Sequence, residues 1–519
     1  MKLFSTSIIL LMALMLRIYS PTIFSEPGND IPLHIAHPLH LNQAWTERGV
    51  VGLIGQSLRY IHGYSTINTL NLLYGTTFTL FDFPITPLSL AGVHSLIGIA
   101  SLIVLFLFLK RVVPFWDALC MVILVSLTPI HVGMSATNAG YQVFKMAALF
   151  LSFWRLQVWC QNPIPRNRLY YGVSLFFAIG SCTDFFVIPA LNVLFAWWLR
   201  KTPECATASG QRLWSHGWLL LFCWLPCLIL ISFALYTRAQ GEHVGVLAHI
   251  ASLTGSGSHW KFTPLLTFQN LLMSAGPLTL LSPVAILILS RKHPHPWERT
   301  LMVYWAVMFL TISCSSRAVW TAHILNLATP SIILVYLLLR PYRAGRLTLI
   351  LGGTASLILT ALIIFRVGDL PLRKTYGSRS LHETGIEALG QIIRSRQISV
   401  TQNPQSLKLK LVVDFEGAWF YLGADTEGPD FLLSPAHESP DTLYVVRPGI
   451  QSDFNRAIAN HVKGWPVLLE IADQNRVIMQ VFGSGRHAPL GQRQAQLLKH
   501  EFWKSYHLVS DFTFAFIGQ

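Results

Sequence analysis

The stretch SLAGVHSLIGIASLIVLFLFLKR, residues 89–111, decides the fold class of this chain. Residues 89–109 contain no Asp, Glu, Lys or Arg, and the run ends in the basic pair Lys110 and Arg111. An α-helix needs about 20 predominantly apolar residues to cross the hydrocarbon core of a bilayer. The stretch therefore predicts a membrane-spanning helix whose basic end faces the cytoplasm.

Similar runs fill the first two thirds of the chain. Of its 519 residues, 52% are hydrophobic and only 12% are charged, with a mean hydropathy of +0.48. Soluble proteins carry about 25% charged residues, so the composition predicts a polytopic α-helical membrane protein. Hydropathy predicts about eleven spans, the fifth and sixth forming either a tightly turned pair or a re-entrant loop. The spans cover residues 4–23, 89–109, 117–134, 139–159, 169–183, 185–199, 214–236, 270–290, 298–314, 321–339 and 347–366.

The basic residues orient these spans. The first span has no cleavage site after it and is interpreted as uncleaved, with the N-terminus inside. The connections then predicted to face the cytoplasm carry fourteen Lys and Arg residues, whereas the short outer loops carry only Arg238, Lys261 and Arg317. This asymmetry follows the positive-inside rule. An odd number of spans places the C-terminus outside.

The same distribution bears on other classes of function. The net charge is +14, but the basic residues are spread between apolar segments instead of being clustered on one soluble face, which argues against a nucleic-acid partner. The seven cysteines lie in or beside apolar segments, without metal-ligand spacing to histidine. No P-loop or Gly-rich nucleotide motif is present, which argues against an ATP-driven pump.

Two extramembrane pieces are long enough to contribute to function. The outer loop of residues 24–88 is polar and then amphipathic, which predicts helices lying along the membrane surface. The tail of residues 370–519 predicts a small soluble α/β domain outside the membrane, separate from a membrane domain of residues 1–369. Its predicted strands are LKLKLVVDF, TLYVV, PVLLEI and RVIMQVF, and its predicted helices are ETGIEALGQIIRSRQ and SDFNRAIANHV.

Acidic residues follow the outer end of the first span. Glu26 and Asp30 are placed where a lipid-borne phosphate and water are both accessible. Transfer of a group from a phosphate to a hydroxyl needs a base for the hydroxyl proton, and a carboxylate at the mouth of a membrane cavity is suited to that role. The alternative interpretation is a solvated acid, or an N-cap for the helix that would follow Asp30.

The layout and three short motifs resemble the GT-C superfamily of membrane glycosyltransferases. The similarity is greatest to the branch of protein O-mannosyltransferases and lipid-A aminoarabinose transferases, including its RgtA/B/C/D-like bacterial members. The motifs are LTPIHVGMSATNAGYQVFKMAALF at 127–150, SSRAVWTAHILNLATPSIILVYLLL at 315–339 and, more weakly, GSCTDFFVIPALNVLFAWWL at 180–199. Pro129, His131, Ser135 and Tyr141 match in the first, and Arg317, His323 and Pro330 match in the second.

The resemblance implies a polyprenyl-phosphate-linked sugar donor, a glycan, lipid or protein acceptor, and an inverting single displacement with or without a divalent metal. It implies that Asp30 is the catalytic base, in a protein of the bacterial inner or plasma membrane. The chain departs from the family pattern at Ile31, which breaks an acid pair, at Thr137, where many relatives have a second acid, and at Ala139, where they have a basic residue.

Lys145 and Arg317 are the candidate phosphate ligands. A lysine inside an apolar span costs on the order of 3 kcal/mol unless it faces a cavity or a partner, so Lys145 either replaces the missing basic residue or snorkels to the outer surface. The guanidinium of Arg317 suits a phosphate through its two-donor fork, although an interfacial anchor next to Trp320 is equally compatible.

Four further residues are candidates for the substrate site: Glu26, Tyr141, Asp184 and His323. His323 either supports the phosphate or fills a polar gap, and Asp184 is either a second acid or the cap of a turn. Tyr141 enters through the family motif. Two other functions remain open from sequence: a transporter or flippase of lipid-linked sugars, and a non-catalytic scaffold with the same fold.

Overall fold

A computed structural model describes most of the helical part of the chain and the core of its tail. The described segments are residues 44–55, 69–81, 87–136, 140–181, 187–202, 214–223, 262–314, 324–364, 410–413, 425–427, 442–448, 453–473, 476–483 and 489–494, with a few single residues and short pieces between them. They form two compact units, one made of the described residues up to 364 and one of those from 388 onward.

The first unit is built from helices. Its labelled helices are α1 Thr69–Leu80, α2 Pro87–Val112, α3 Phe115–Ser126, α4 Pro129–Ala136, α5 Gly140–Gln161, α6 Pro165–Ile179, α7 Val187–Leu199, α8 Pro264–Ala275, α9 Ser282–Ser290, α10 Pro296–Ser313, α11 Leu325–Leu339 and α12 Arg343–Ile364. A 3-10 helix, Pro277–Leu281, precedes α9.

The helix α5 lies at the centre of this unit. It packs against α2, α4, α6, α7 and α11. Between α2, α5 and α10, the ring of Phe108 lies 5.6 Å from that of Phe150 and 6.2 Å from that of Trp297. The helix α11 is buried at every position from 325 to 338, as expected for a helix that is apolar all round and surrounded by others.

The span predicted at 117–134 is broken. Helices α3 and α4 meet at an angle of 71°, because Pro129 has no N–H to continue the helix and disfavours helical backbone at the residue before it. The Thr128 hydroxyl accepts a hydrogen bond from the His131 N–H at 3.4 Å. The carbonyl of Leu127 accepts one from the Thr360 hydroxyl on α12 at 2.7 Å.

The span predicted at 270–290 is also broken. Helix α8 ends before Gly276, whose φ of +90° is in the region that favours glycine, and Pro277 then starts the 3-10 helix. A Cβ at Gly276 would lie 2.1 Å from the hydroxyl oxygen of Ser356 on α12. The Ser356 hydroxyl donates a hydrogen bond to the carbonyl of Ala275 at 3.2 Å.

Three of the described helical stretches are long and apolar enough to cross a membrane: Gly92–Val112, Gln142–Gln161 and Arg343–Leu362. The bent pair α3 and α4 is a fourth if it counts as one span. Shorter apolar helices are Val187–Leu199, Pro277–Ser290 and Leu325–Leu339. The total of eleven spans stays a prediction, because several predicted spans fall partly or wholly outside the described residues.

An ion pair fixes the ends of α3 and α11 that the charge pattern places inside. One carboxylate oxygen of Asp117 lies 2.5 Å from a guanidinium nitrogen of Arg340. The other accepts a hydrogen bond from the Tyr336 hydroxyl at 2.7 Å. Both oxygens of this acid are therefore used to join the two helices.

The second unit contains a mixed six-stranded sheet of order β2-β1-β3-β5-β4-β6. The neighbours β1–β2, β1–β3 and β4–β6 are parallel, whereas β3–β5 and β4–β5 are antiparallel. The elements are β1 Lys410–Val413, β2 Asp425–Glu427, β3 Thr442–Val446, α13 Asp453–His461, β4 Val467–Asp473, β5 Arg476–Gly483 and β6 Gly491–Gln494.

Alternation along the strands gives this sheet two apolar faces. Leu411 and Leu443 belong to a core that includes Leu389, whereas Val412 and Tyr444 belong to a core that includes Ile458 of α13. Strands β1 and β3 lie within runs for which the sequence pattern predicts strands, whereas β4 and β5 overlap their predicted runs and end two residues and one residue later. The boundary at residue 370 and the location of the tail outside the membrane stay predictions.

Candidate functional site

The structure describes two of the seven residues that the sequence singles out. Glu26, Asp30, Asp184, Arg317 and His323 lie outside the described residues, so their roles stay predictions. Tyr141 lies in the first turn of α5, and its side chain is outside the described part. Lys145 follows one turn later and is fully described.

Lys145 is completely buried, with 0% of its side chain exposed. A lysine that snorkels to the membrane surface would expose its ammonium group, so the structure does not fit that alternative. An ammonium group offers three hydrogen-bond donors, and burial in a low-dielectric region strengthens its attraction for an anion. The burial therefore argues against a membrane anchor, and the role of Lys145 as a phosphate ligand stays a prediction.

A chain of buried polar side chains lies beside Lys145. Gln142 is three residues earlier on α5, so the two side chains are neighbours on the helix surface. Its side-chain oxygen accepts a hydrogen bond from Asn326 Nδ2 on α11 at 3.0 Å. The hydroxyl of Tyr304 on α10 donates to Asn326 Oδ1 at 2.9 Å. All four of these residues are fully buried.

These bonds fix the turn of α5 that carries Lys145 against α10 and α11. Asn326 uses both its donor and its acceptor, and Tyr304 also lies 3.5 Å from the sulfur of Met146. Buried polar groups that are left unpaired are costly, so the network favours one relative position of the three helices. Lys145 is thereby held on a rigid support, which is what binding of a fixed charge requires.

The same two helices, α10 and α11, flank the segment that carries Arg317 and His323. At the end of α10, the carbonyl of Ser313 accepts hydrogen bonds from the N–H and the hydroxyl of Thr263, at 2.9 and 3.3 Å. The Ser313 hydroxyl donates to the hydroxyl of Thr267 at 2.9 Å. Ser313, before the segment 315–323 in the chain, is therefore anchored by hydrogen bonds, as Asn326 is after it.

His131, which matches the first family motif, lies in a separate polar cluster. Its Nε2 is 3.1 Å from the Ser101 hydroxyl and its Nδ1 is 3.3 Å from the Ser135 hydroxyl. The hydroxyl of Ser95 donates to the carbonyl of Ser135. With both ring nitrogens facing serine hydroxyls, His131 joins α2 to α4 and acts in support of the fold.

Sequence reasoning missed Gln142, Tyr304 and Asn326. The available signal was weak, since each is a single polar residue in an apolar helix, and such residues are also common as isolated core side chains. Gln142 could have been suspected because it precedes Lys145 by one turn. The partnership with Asn326 bridges positions far apart in the chain, which one sequence does not reveal.

Within the described part of the chain, no group of three or more His, Cys, Asp or Glu side chains is placed to hold a metal ion.

Comparison with known proteins gives matches in fold only. No protein-family model and no curated protein matches the sequence. Among solved structures, ArnT from Cupriavidus metallidurans bound to undecaprenyl phosphate matches 92% of this chain and 98% of its own, with a TM-score of 0.57 and 12% identity. ArnT from the same organism in the apo state matches 92% of this chain and 97% of its own, with a TM-score of 0.55 and 12% identity.

The oligosaccharyltransferase of Archaeoglobus fulgidus, tethered to an acceptor peptide that contains an NVT sequon, also matches. The match covers 87% of this chain and 70% of that one, with a TM-score of 0.52 and 12% identity. ArnT and the oligosaccharyltransferase both belong to the GT-C superfamily. The extent of these matches shows that this chain has the GT-C fold.

Proposed function

We propose that this chain is an integral-membrane glycosyltransferase that moves a sugar from a polyprenyl-phosphate donor to an acceptor at the outer face of the membrane. The observation that carries the proposal is the match over 92% of the chain to a transferase bound to undecaprenyl phosphate. The fully buried Lys145, on a helix fixed by polar bonds, supports it independently.

The reaction is a single displacement at the anomeric carbon of the sugar. The acceptor hydroxyl oxygen forms a bond to that carbon, and the bond from the carbon to the phosphate oxygen breaks. Polyprenyl phosphate leaves with the electron pair, and the hydroxyl proton passes to the carboxylate of Asp30, the proposed base. The displacement inverts the configuration of the sugar.

Lys145 and Arg317 are proposed to bind the phosphate. As the bond to the sugar breaks, negative charge builds on the departing phosphate, and positioned cations stabilise that charge in a site from which water is excluded. The ammonium of Lys145 acts as a fixed point charge, and the guanidinium of Arg317 supplies a planar pair of donors. His323, Tyr141, Glu26 and Asp184 remain proposed contacts to the substrates.

The first test is glycan analysis in a strain that lacks the gene. Complementation with the wild-type chain should restore a glycan that the deletion removes, whereas Asp30→Asn should not, although it reaches the membrane in equal amount. Glu47→Gln is the matched control, because Glu47 is an exposed acid in the same predicted outer loop. Restoration by Asp30→Asn at the wild-type level would refute the base assignment.

A second measurement separates the transferase from its two rivals. The purified chain is given the strain's lipid-linked sugars, and free polyprenyl phosphate is measured after addition of the strain's acceptor glycans. A transferase releases the free carrier only when acceptor is present. A flippase moves the lipid between leaflets without cleaving it, and a scaffold does neither, so absence of release contradicts the proposed function.

A further inference from the structure

The end of the helical unit that the charge pattern places at the cytoplasm contains a cationic and aromatic site. The transfer reaction, which is proposed for the outer face, does not use it. Arg155 lies in α5 six residues before the end of the helix, roughly 9 Å from that end at the usual rise per residue. Its guanidinium carbon is 4.3 Å from the centre of the Trp154 ring and 5.2 Å from that of Tyr170 on α6. Two aromatic rings therefore hold this cation below the level of the helix ends.

A second arginine, Arg111, lies near the same end of α5. Arg111, at the end of α2, donates a hydrogen bond to the side-chain oxygen of Gln161 at 3.1 Å, and Gln161 is six residues after Arg155 on α5. Within the described part of the chain, the ion pair of Asp117 is made with Arg340, and no carboxylate pairs with Arg111 or Arg155. Two neighbouring guanidinium groups favour an anion between them.

Two buried polar atoms on the same stretch of α5 as Arg155 have no hydrogen-bond partner. They are the indole nitrogen of Trp154, a donor, and the side-chain oxygen of Gln157, an acceptor. Gln157 is only 9% exposed, and it is one turn from Trp154 on the same face of α5. Burial of an unpaired polar atom is energetically costly. A hydroxyl group satisfies both, since it accepts from the indole and donates to the amide oxygen.

The surroundings indicate a lipid. Leu169 and Val173 on α6, on the same side of the helix as Tyr170, are 63% and 47% exposed, as is usual for side chains that face acyl chains. The positive-inside pattern places this end of α5 and α6 at the cytoplasmic leaflet. Arg166, in the first turn of α6, adds an exposed positive charge at the membrane surface.

We propose that Arg155, Arg111, Trp154, Gln157 and Tyr170 form a binding site for an anionic phospholipid of the cytoplasmic leaflet whose headgroup carries hydroxyls. The phosphodiester lies against the two guanidinium groups, and a headgroup hydroxyl bridges Trp154 and Gln157. The acyl chains run along Leu169 and Val173. The site is independent of the proposed transfer reaction, which is placed at the outer face.

The test measures which lipids the purified full chain retains from an equimolar mixture of phosphatidylglycerol and phosphatidylcholine. Native mass spectrometry should show preferential retention of phosphatidylglycerol by the wild-type chain, about tenfold for a difference of 1.4 kcal/mol. Arg155→Gln should lose most of this preference. Lys201→Gln is the matched control, because Lys201 lies 3.9 Å from the Trp197 ring at the end of α7, and it should keep the preference.

Trp154→Phe tests the hydroxyl contact while keeping the ring. It should lower retention of phosphatidylglycerol several-fold and leave that of phosphatidylmethanol, a phosphodiester whose headgroup has no hydroxyl, unchanged. Size-exclusion profiles and Tm values equal to wild type show that each variant is folded. Equal retention of the two lipids by the wild-type chain, or equal losses in Arg155→Gln and Lys201→Gln, would overturn the proposal in favour of general surface attraction.

Discussion

The burial of Lys145 gives the sharpest prediction for a single residue. Replacing it with Met keeps the length and apolar stem of the side chain and removes the charge. Because a hydrogen bond to a charged group contributes about 1.5–3 kcal/mol, we expect Lys145→Met to raise the Kd for undecaprenyl phosphate roughly tenfold to hundredfold. The measurement is binding of undecaprenyl phosphate to the purified chain in detergent.

The control for this variant separates binding from folding. Lys110→Met removes an exposed lysine near the Phe106 ring, at the other end of the helical unit, and should leave the affinity unchanged. Lys145→Arg keeps the charge and should retain part of the affinity. If Lys145→Met bound undecaprenyl phosphate as tightly as wild type, Lys145 would have no role in holding the carrier.

Asn326 is predicted to matter for stability and, through α5, for binding. Asn326→Leu removes both hydrogen bonds of its amide and leaves Gln142 and Tyr304 with one bond fewer each. Loss of these bonds in a buried site should cost about 2–4 kcal/mol in total, measured as a decrease in Tm. Asn162→Leu, at the exposed turn after α5, is the comparison and should change Tm little. An unchanged Tm for Asn326→Leu would contradict the network.

The sequence alone predicts only part of the candidate site. Lys145 stands out because a charge in an apolar span is rare and costly, and the structure describes it as buried. Asn326 and Tyr304 do not stand out, because polar amides and hydroxyls are tolerated in helices when they find a partner. Their partners lie on helices whose packing the chain order does not specify. A hydropathy profile therefore reveals a charged residue in an apolar span more readily than an amide side chain that is hydrogen-bonded within the bundle.

Helix α12 contacts both broken spans through small side chains. Gly352, Ser356 and Thr360 recur every four residues and so form one stripe of small side chains. A Cβ at Gly352 would lie 2.3 Å from the side chain of Leu278, which follows the break at Gly276. Ser356 and Thr360 donate hydrogen bonds to carbonyls at the two breaks. Small residues allow this close approach, as is common between membrane helices.

The break at Gly276 should not tolerate a side chain. Gly276→Ala places a Cβ where φ is +90° and where Ser356 is 2.1 Å away, so we expect Tm to fall by several degrees. Adding Ser356→Gly should restore part of the loss, because it removes the clash but not the backbone strain. Gly92→Ala is the control: its Cβ meets nothing within 4 Å, and Ala in a helix is favoured by about 0.5–1 kcal/mol.

These two breaks are features of the fold that the sequence-based description missed. Hydropathy averages over a window of a span's length, so it predicts single spans at 117–134 and 270–290 despite Pro129 and Pro277. Proline is common in membrane helices, where neighbouring groups satisfy the freed carbonyls, and its presence alone does not reveal a bend. Here Ser356 and Thr360 supply those bonds from positions 81 and 233 residues away in the chain.

For the whole molecule, the charge asymmetry and the helix ends agree. Lys110 and Arg111 end α2, Arg200 and Lys201 follow α7, and Arg291 and Lys292 follow α9. Arg340 and Arg343 lie at the turn between α11 and α12. In the predicted topology all of these ends face the cytoplasm, where positive residues are retained. The orientation therefore rests on many residues, and no single substitution should reverse it.

The orientation predicts which exposed positions a membrane-impermeant thiol reagent reaches in intact cells. Lys463→Cys, after α13, should be labelled from outside, because the tail is predicted to lie beyond the membrane. Lys292→Cys, in the turn between α9 and α10, should be labelled only after permeabilisation. Both positions are exposed within their own unit, so burial of the side chain does not limit its reaction with the reagent. The unmodified chain gives the background from its own seven cysteines. Labelling of both variants from the same side would invalidate the predicted topology, and with it the placement of Asp30 and Arg317 at the outer face.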